Sequence, residues 1–294
     1  MKLGFSSYTF HQRVATGEMS LTDVIDWVAD SEGEHLELAA IYRGADAPIP
    51  NEESDPSFVE TVRSHAEKRG VPLSNLAVGA DLSHEDAAEK TAEIERVKKL
   101  VDLAEALGIR TMRHDVVPHG VVPGDDSVVF EQKFPIIVDA CRQIAEYAAT
   151  KGITTSLENH GFFVQSSDRV RRIVHAVDRD NFKTTLDIGN FVCVDEDPTS
   201  AVPANLPYAM IVHLKDFYIR PAGFSAPDGW FSSRGGKALR GAIVGEGDID
   251  LPGVIAAIKQ SGYDEYVSIE FEGHEDCFVG ATRGLANARR LLAA

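Results

Sequence analysis

Short apolar segments that end in a polar side chain alternate with helical segments about eight times along the 294 residues of this chain, and few folds accommodate that order. The strand-like segments occur at 3–8, 35–38, 73–78, 109–113, 153–157, 182–187, 209–214 and 266–271. Between them the apolar positions recur at helical spacing. After the polar opening Ser20, Thr22 and Asp23 come Val24, Ile25, Trp27 and Val28, and within 84–107 come Ile94, Val97, Leu100, Val101 and Ala104. Further helices are expected at 58–70, 131–150, 168–177, 252–260 and 275–292, with a short helical or irregular link at 197–205. Because no run of hairpins interrupts this order, the strands are expected to be parallel and joined by crossover helices. Eight such units close into a single (β/α)8 TIM barrel spanning 1–294, of the size such a domain needs, roughly 250 residues. An open doubly wound α/β sheet is the main competitor.

Two loops depart from this rhythm early in the chain, an acidic one at 51–56 and a Pro/Gly-punctuated one at 117–126. A third, at about 216–250, loses the helical period altogether and is rich in glycine and aromatics. Long segments of this kind in compact domains are usually lids or binding loops, so this βα loop is expected over the active site.

Charge and composition narrow the partners. Twenty-nine Lys and Arg against forty-six Asp and Glu give a net charge of −17, the wrong sign for nucleic acid or an anionic membrane. Cys141, Cys193 and Cys277 are far apart and odd in number, which indicates buried thiols rather than disulfides or a thiolate zinc site. The chain enters its first strand without the apolar core of a secretory signal, and no apolar run reaches the roughly 20 residues of a bilayer span, so a cytoplasmic protein is expected.

The chemistry lies at the strand ends. Glu158, Asp187, His213 and Glu270 each terminate one of four successive segments, and in a (β/α)8 barrel those ends converge on one face. Three carboxylates crowded together repel one another unless a cation joins them. Hard oxygen ligands with one imidazole suit one divalent ion: Mn2+ first, with Mg2+, Co2+ or Zn2+ as alternatives. Any one of the four alone would read as a capping or ion-paired residue; the recurrence is what points to a metal.

These motifs, Ser-Leu-Glu158-Asn-His-Gly, Leu-Asp187-Ile-Gly-Asn, Val-His213-Leu-Lys-Asp and Ser-Ile-Glu270, resemble those of the xylose isomerase-like barrel superfamily, in its sugar (phosphate) isomerase and epimerase branch. Gly245-Glu246-Gly247-Asp248-Ile249-Asp250 is similar to that branch as well. The resemblance implies one divalent ion on Glu158, Asp187, His213 and Glu270, with Glu158 and Glu270 doubling as acid/base catalysts. A metal chelated by a carbonyl and its neighbouring hydroxyl acidifies the intervening C–H and stabilises an enediolate. Epimerisation needs proton transfer on two faces of that carbon, whereas isomerisation manages with one.

Several neighbours are candidates for substrate contact. His160, two residues beyond Glu158, shares its side of an extended chain and could act as a further catalytic base or brace a ligand carboxylate. Asn159 is expected to support the site's backbone. Lys215 stands in the same relation to His213, and would meet an anionic group or form a salt bridge to Asp216 or another barrel acid. His114, His11, Glu37, Asn190 and Trp230 complete the substrate-binding set, with Trp230 and Phe231 also able to form the long loop's own small core. Gly235-Gly236-Lys237 is not a phosphate-binding P-loop, although Arg234, Lys237 and Arg240 could meet an anion.

The function that follows is sugar isomerisation or epimerisation on a small-molecule sugar or keto-sugar, with a homo-oligomer or a hetero-subunit both open. A metal-dependent lyase, hydratase or deglycosylase working by elimination is the alternative, since it begins with the same proton abstraction. Abasic-site endonucleases of this superfamily use three zinc ions and an additional histidine three residues after the sixth-strand aspartate; here that position is Asn190, which with the −17 charge argues against DNA cleavage. A non-catalytic binding barrel is disfavoured by the complete acid and metal set.

Overall fold

The computed structural model describes residues 1–40, 56–118, 120 and 126–294. Positions 51–55 of the expected acidic loop at 51–56, and positions 119 and 121–125 of the Pro/Gly loop, lie outside the described residues.

The first seven strands are β1 (Lys2–Ser6), β2 (Leu36–Ala40), β3 (Leu73–Val78), β4 (Thr111–His114), β5 (Thr154–Glu158), β6 (Phe182–Asp187) and β7 (Ala209–Leu214). An insert then carries β8 (Asp216–Arg220), β9 (Phe231–Ser232) and β10 (Ala238–Ala242), after which β11 (Tyr266–Ile269) completes the barrel. Each barrel strand pairs in parallel with its sequence neighbours, and β1 pairs with both β2 and β11, so the barrel sheet is closed and has no free edge. Closure excludes the open doubly wound sheet.

Helices wrap the outside: α1 (His11–Ala15), α2 (Leu21–Asp30), α3 (Pro56–Arg69), α4 (Ala87–Ala106), α5 (Asp126–Thr150), α6 (Ser167–Val177), α7 (Pro198–Asn205), α8 (Leu251–Gln260) and α9 (Cys277–Ala293). Local sequence sets their ends. At α2, Ser20 accepts from the Asp23 amide and the Asp23 carboxylate accepts from the Ser20 amide at 2.8 Å, a reciprocal cap worth about 1 kcal/mol. Gly108 and Gly152 take left-handed φ of 76° and 65° just beyond α4 and α5, as helix stops require.

Alternation along the strands divides the core in two. Leu36, Leu38, Leu76, Val78, Met112, Leu157, Leu186, Val212 and Val267 are buried and alternate with an inward set that is largely polar: Glu37, Asn75, Arg113, Ser156, Thr185, His213 and Ser268. The apolar set packs under the helices, and each such side chain contributes about 1.5–3 kcal/mol by leaving water. The interior of such a barrel is ordinarily filled by branched aliphatics, so polar side chains there mark residues held for something other than packing.

The insert differs from expectation. Instead of an irregular loop, β8, β10 and β9 form a three-stranded antiparallel sheet in that order. Its turns are glycine-rich and β9 is two residues long, so no alternating run announces it in the sequence. Its base is tied by Asp216: one carboxylate oxygen accepts from the amides of Gly245 at 3.0 Å and Gly247 at 2.9 Å, the other from Phe217 at 2.9 Å. A Cβ at Gly247 would fall 2.2 Å from Asp216, which explains the glycine. Burial pushes the Asp216 carboxyl up to about 6. Among the described residues no helix is long and apolar enough to cross a membrane.

Candidate active site

Glu158, Asp187, His213 and Glu270 come together at the C-terminal mouth of the barrel, each offering one ligand atom, and these atoms all lie within 4.8 Å of one another. One ion with metal–ligand bonds of about 2.0–2.6 Å could bridge such a set. The four side chains are held from behind. Asp187 Oδ1 accepts from the amides of Gly189 and Asn190 at 2.8 Å each, while its buried Oδ2 has no hydrogen-bond partner. Asn159 donates to the Asp187 carbonyl at 2.8 Å and accepts from its amide at 2.9 Å, tying β5 to β6. His213 donates from Nε2 to Glu37 at 2.9 Å, which turns Nδ1 toward Glu158 and Glu270, 3.7 Å from each and hydrogen-bonded to neither. Two buried atoms without a hydrogen bond, Asp187 Oδ2 and His213 Nδ1, facing a shared centre with the Glu158 and Glu270 carboxylates, fit a divalent cation.

The electrostatics agree. Burial pushes Asp187 up to about 6, in part because Glu158 and Glu270 are close. For Glu270, burial is outweighed by Lys215 and His213, which hold its carboxyl well below the ordinary range. Glu158 is likewise held low against burial, by Arg113 and His213. Burial disfavours a charged His213, yet Glu37 and Glu270 hold its proton well above the usual range, so the pocket demands positive charge that a metal could supply.

Lys215 stands inside this cluster. Its Nζ is 2.7 Å from Glu270, 3.3 Å from Asp187 and 3.6 Å from Glu272. It does not pair with Asp216, whose oxygens are occupied by the base of the insert. Asn190 donates to Glu158 at 3.1 Å and lines the cavity. His160 also lines it, with Nδ1 3.5 Å from Asp115; burial lowers its basicity, but Asp115 and Glu158 raise it above the ordinary value. His11 lines the cavity too, stacked on Tyr8 at 4.5 Å.

Three candidates lie elsewhere. Glu37 is not among the cavity-lining residues: it is fully buried, accepting from His213 and, at 3.0 Å, from Ser268, so it orients the histidine instead of meeting a sugar hydroxyl. His114 is fully buried outside the cavity, donates from Nδ1 to the Asp115 carbonyl at 3.0 Å, and is pushed down to about 4 by burial. Trp230 belongs to the insert's own cluster, 5.3 Å from Phe224 and near Arg220 and Arg240.

Two important residues carry no sequence signal strong enough to select them. Arg113 binds Glu158 at 2.7 Å and Asp115 at 2.6 Å, and Asp115 in turn faces His160. Strand parity could have found Arg113: it is paired in register with Ala77 and Ser156, on the inward face, whereas the adjacent His114 points the other way.

A family model described as a xylose isomerase-like TIM barrel matches residues 25–294. An inosose dehydratase of Clostridium perfringens (strain 13 / Type A) is 21% identical over 226 residues, covering 74% of this chain and 75% of that protein. An L-ribulose-5-phosphate 3-epimerase of Escherichia coli (strain K12) is 24% identical over 199 residues, 66% of this chain and 62% of that protein. Among solved structures, D-allulose 3-epimerase from Methylomonas sp. superposes with a TM-score of 0.73 at 18% identity, over 99% of this chain and 98% of that one.

Proposed function

We propose that this chain, which belongs to the xylose isomerase-like TIM barrel family, is a divalent-metal-dependent isomerase or epimerase that moves a proton next to the carbonyl of a sugar or keto-sugar. The observation that carries this reading is the placement of two glutamates, Glu158 and Glu270, in one buried cluster with Asp187 and His213. Those four residues would hold the ion, and we assign Mn2+ first because oxygen ligands outnumber the single imidazole. Bound there, a divalent ion would draw electron density from the substrate carbonyl and acidify the adjacent C–H.

The chain's own residues supply the proton transfer. In barrel order, β5 and β11 flank β6 and β7, so Glu158 and Glu270 approach the substrate from either side of Asp187 and His213. One carboxylate oxygen removes the proton from carbon, and the other glutamate, or the same one, returns it. Arg113 and Asn190 fix Glu158, and Lys215 fixes Glu270 while offering N–H donors to a substrate oxygen. We assign the 216–250 insert, which contributes Gly229, Phe231, Ser232 and Gly241 to the cavity wall, the role of shielding this chemistry from water.

The test is exchange of the substrate C–H with deuterated solvent. Glu158→Gln and Glu270→Gln are expected to reduce exchange at least about 100-fold, the ordinary worth of a general acid or base. Wild-type exchange in both variants would overturn the assignment.

Elimination is a second reading, favoured by His160. Backed by Asp115, it is a proton-transfer group outside the ligand set and could protonate a departing hydroxyl or aglycone oxygen. Loss of water or aglycone in the products, abolished by His160→Ala while C–H exchange persists, distinguishes it.

A further inference from the structure

We propose that the substrate of this site is an uncharged glycoside or similar two-ring sugar conjugate, not a free monosaccharide or a sugar phosphate; the proposal rests on the sugar-directed reading above and narrows it. Charge comes first. Asp115, Glu158, Glu270 and Glu272 line the cavity with Asp187 beneath, whereas Arg113 and Lys215 are the only Arg or Lys lining it among the described residues. Both are engaged, Arg113 by Glu158 and Asp115, and Lys215 by Glu270, Asp187 and Glu272. With both cations so engaged by the five carboxylates, the described lining offers no spare Arg or Lys to a phosphate dianion. The basic residues of the insert do not compensate. Arg234 pairs with Asp126, Lys237 is 3.4 Å from Asp195, Arg240 is 3.7 Å from Glu275, and Arg220 is 2.8 Å from Asp248; none lines the cavity.

Size and wall chemistry come second. The cavity encloses about 960 Å³, near the top of the roughly 300–1,000 Å³ range for pockets that bury drug-sized ligands, whereas a lone monosaccharide is only fragment-sized. Above the acidic floor, aromatic side chains stand in its walls. The parallel Tyr8–His11 pair follows β1, and Phe162 follows β5, which stands across the barrel from β1. Phe162 has a left-handed φ of 67°, a conformation that costs a non-glycine residue about 1–3 kcal/mol and clusters at ligand clamps. Phe231 of the insert also lines the cavity and leaves 37% of its surface exposed. Aromatic side chains lining opposite sides of the mouth suit a second ring, aryl or glycosyl, attached to the sugar whose carbonyl reaches the floor.

The metal-loaded enzyme would be compared on three matched substrates: a free keto-sugar, its phosphate, and its aryl keto-glycoside. The glycoside is expected to show at least a tenfold higher kcat/KM than the free sugar, with the phosphate lowest. Phe162→Ala and Phe231→Ala should raise KM for the glycoside severalfold more than for the free sugar. Equal or better turnover of the free sugar or the phosphate overturns the proposal. Titration calorimetry with the unoxidised parent glycoside separates the two levels of inference. Binding that Phe162→Ala weakens, without C–H exchange on any keto-substrate, supports the substrate class and defeats the reaction reading. Exchange on the free sugar with no glycoside binding leaves the reaction standing and defeats the class.

Discussion

Arg113 and His114 are neighbours on β4 with opposite fates, and the difference is a matter of which way each side chain points. Arg113 faces inward and secures Glu158, whereas His114 is buried as a neutral imidazole. Its folded pKa of about 4 lies below the ordinary histidine value of 6.5, so between those values the unfolded chain takes up a proton that the folded one refuses. Stability is therefore complete above about pH 6.5 and falls as pH drops toward 4, by up to about 3 kcal/mol for this group; buried His35 is shifted in the same direction. His114→Gln should flatten the fall of Tm with acidification while leaving kcat/KM near wild type, which a substrate ligand would not. The four-residue cluster was readable from sequence because one event, a strand ending in a side chain able to ligate a metal, recurs at Glu158, Asp187, His213 and Glu270. The contact between Glu37 and His213 was not, because it joins residues 176 apart across the barrel.

At the scale of elements, barrel strands stand where apolar runs predicted them, within about two residues at their ends; Leu73–Val78, Phe182–Asp187 and Ala209–Leu214 match outright. The insert's sheet was hidden because turn glycines and a two-residue strand carry no period. Gly229 shows how closely it packs: φ is +83°, and a Cβ there would fall 1.7 Å from the His274 ring. Gly229→Ala combines that overlap with the roughly 1–2 kcal/mol cost of a left-handed non-glycine residue. We expect faster amide exchange across β8 to β10 and a raised KM, with barrel strands protected as in wild type. Uniformly faster exchange would mean that the insert is coupled to global folding.

For the whole molecule, alternation without hairpins pointed to parallel strands and a barrel, and the pairing of β1 with β11 decided it against the open doubly wound sheet. What alternation could not convey is the polarity of the barrel interior, which reflects demands from the site above it. A cluster so rich in carboxylate should bind a divalent ion in the folded state only. Adding Mn2+ at 100 times its Kd is then expected to stabilise the fold by about 2.7 kcal/mol, lost again on chelation. A thermal melt with and without chelator checks this, and the gain should shrink in Asp187→Asn. Lys215 already neutralises part of the cluster, so the chelated protein should still melt cooperatively.

Asp216 gathers amides from both ends of the insert onto one carboxylate, so the segment leaves and re-enters the barrel at nearly one point. A segment joined in this way is a cassette. In descendants of this chain, natural or engineered, it would be exchangeable whole, and with it the part of the cavity wall that Gly229, Phe231, Ser232 and Gly241 form, while Glu158, Asp187, His213 and Glu270 stay in place.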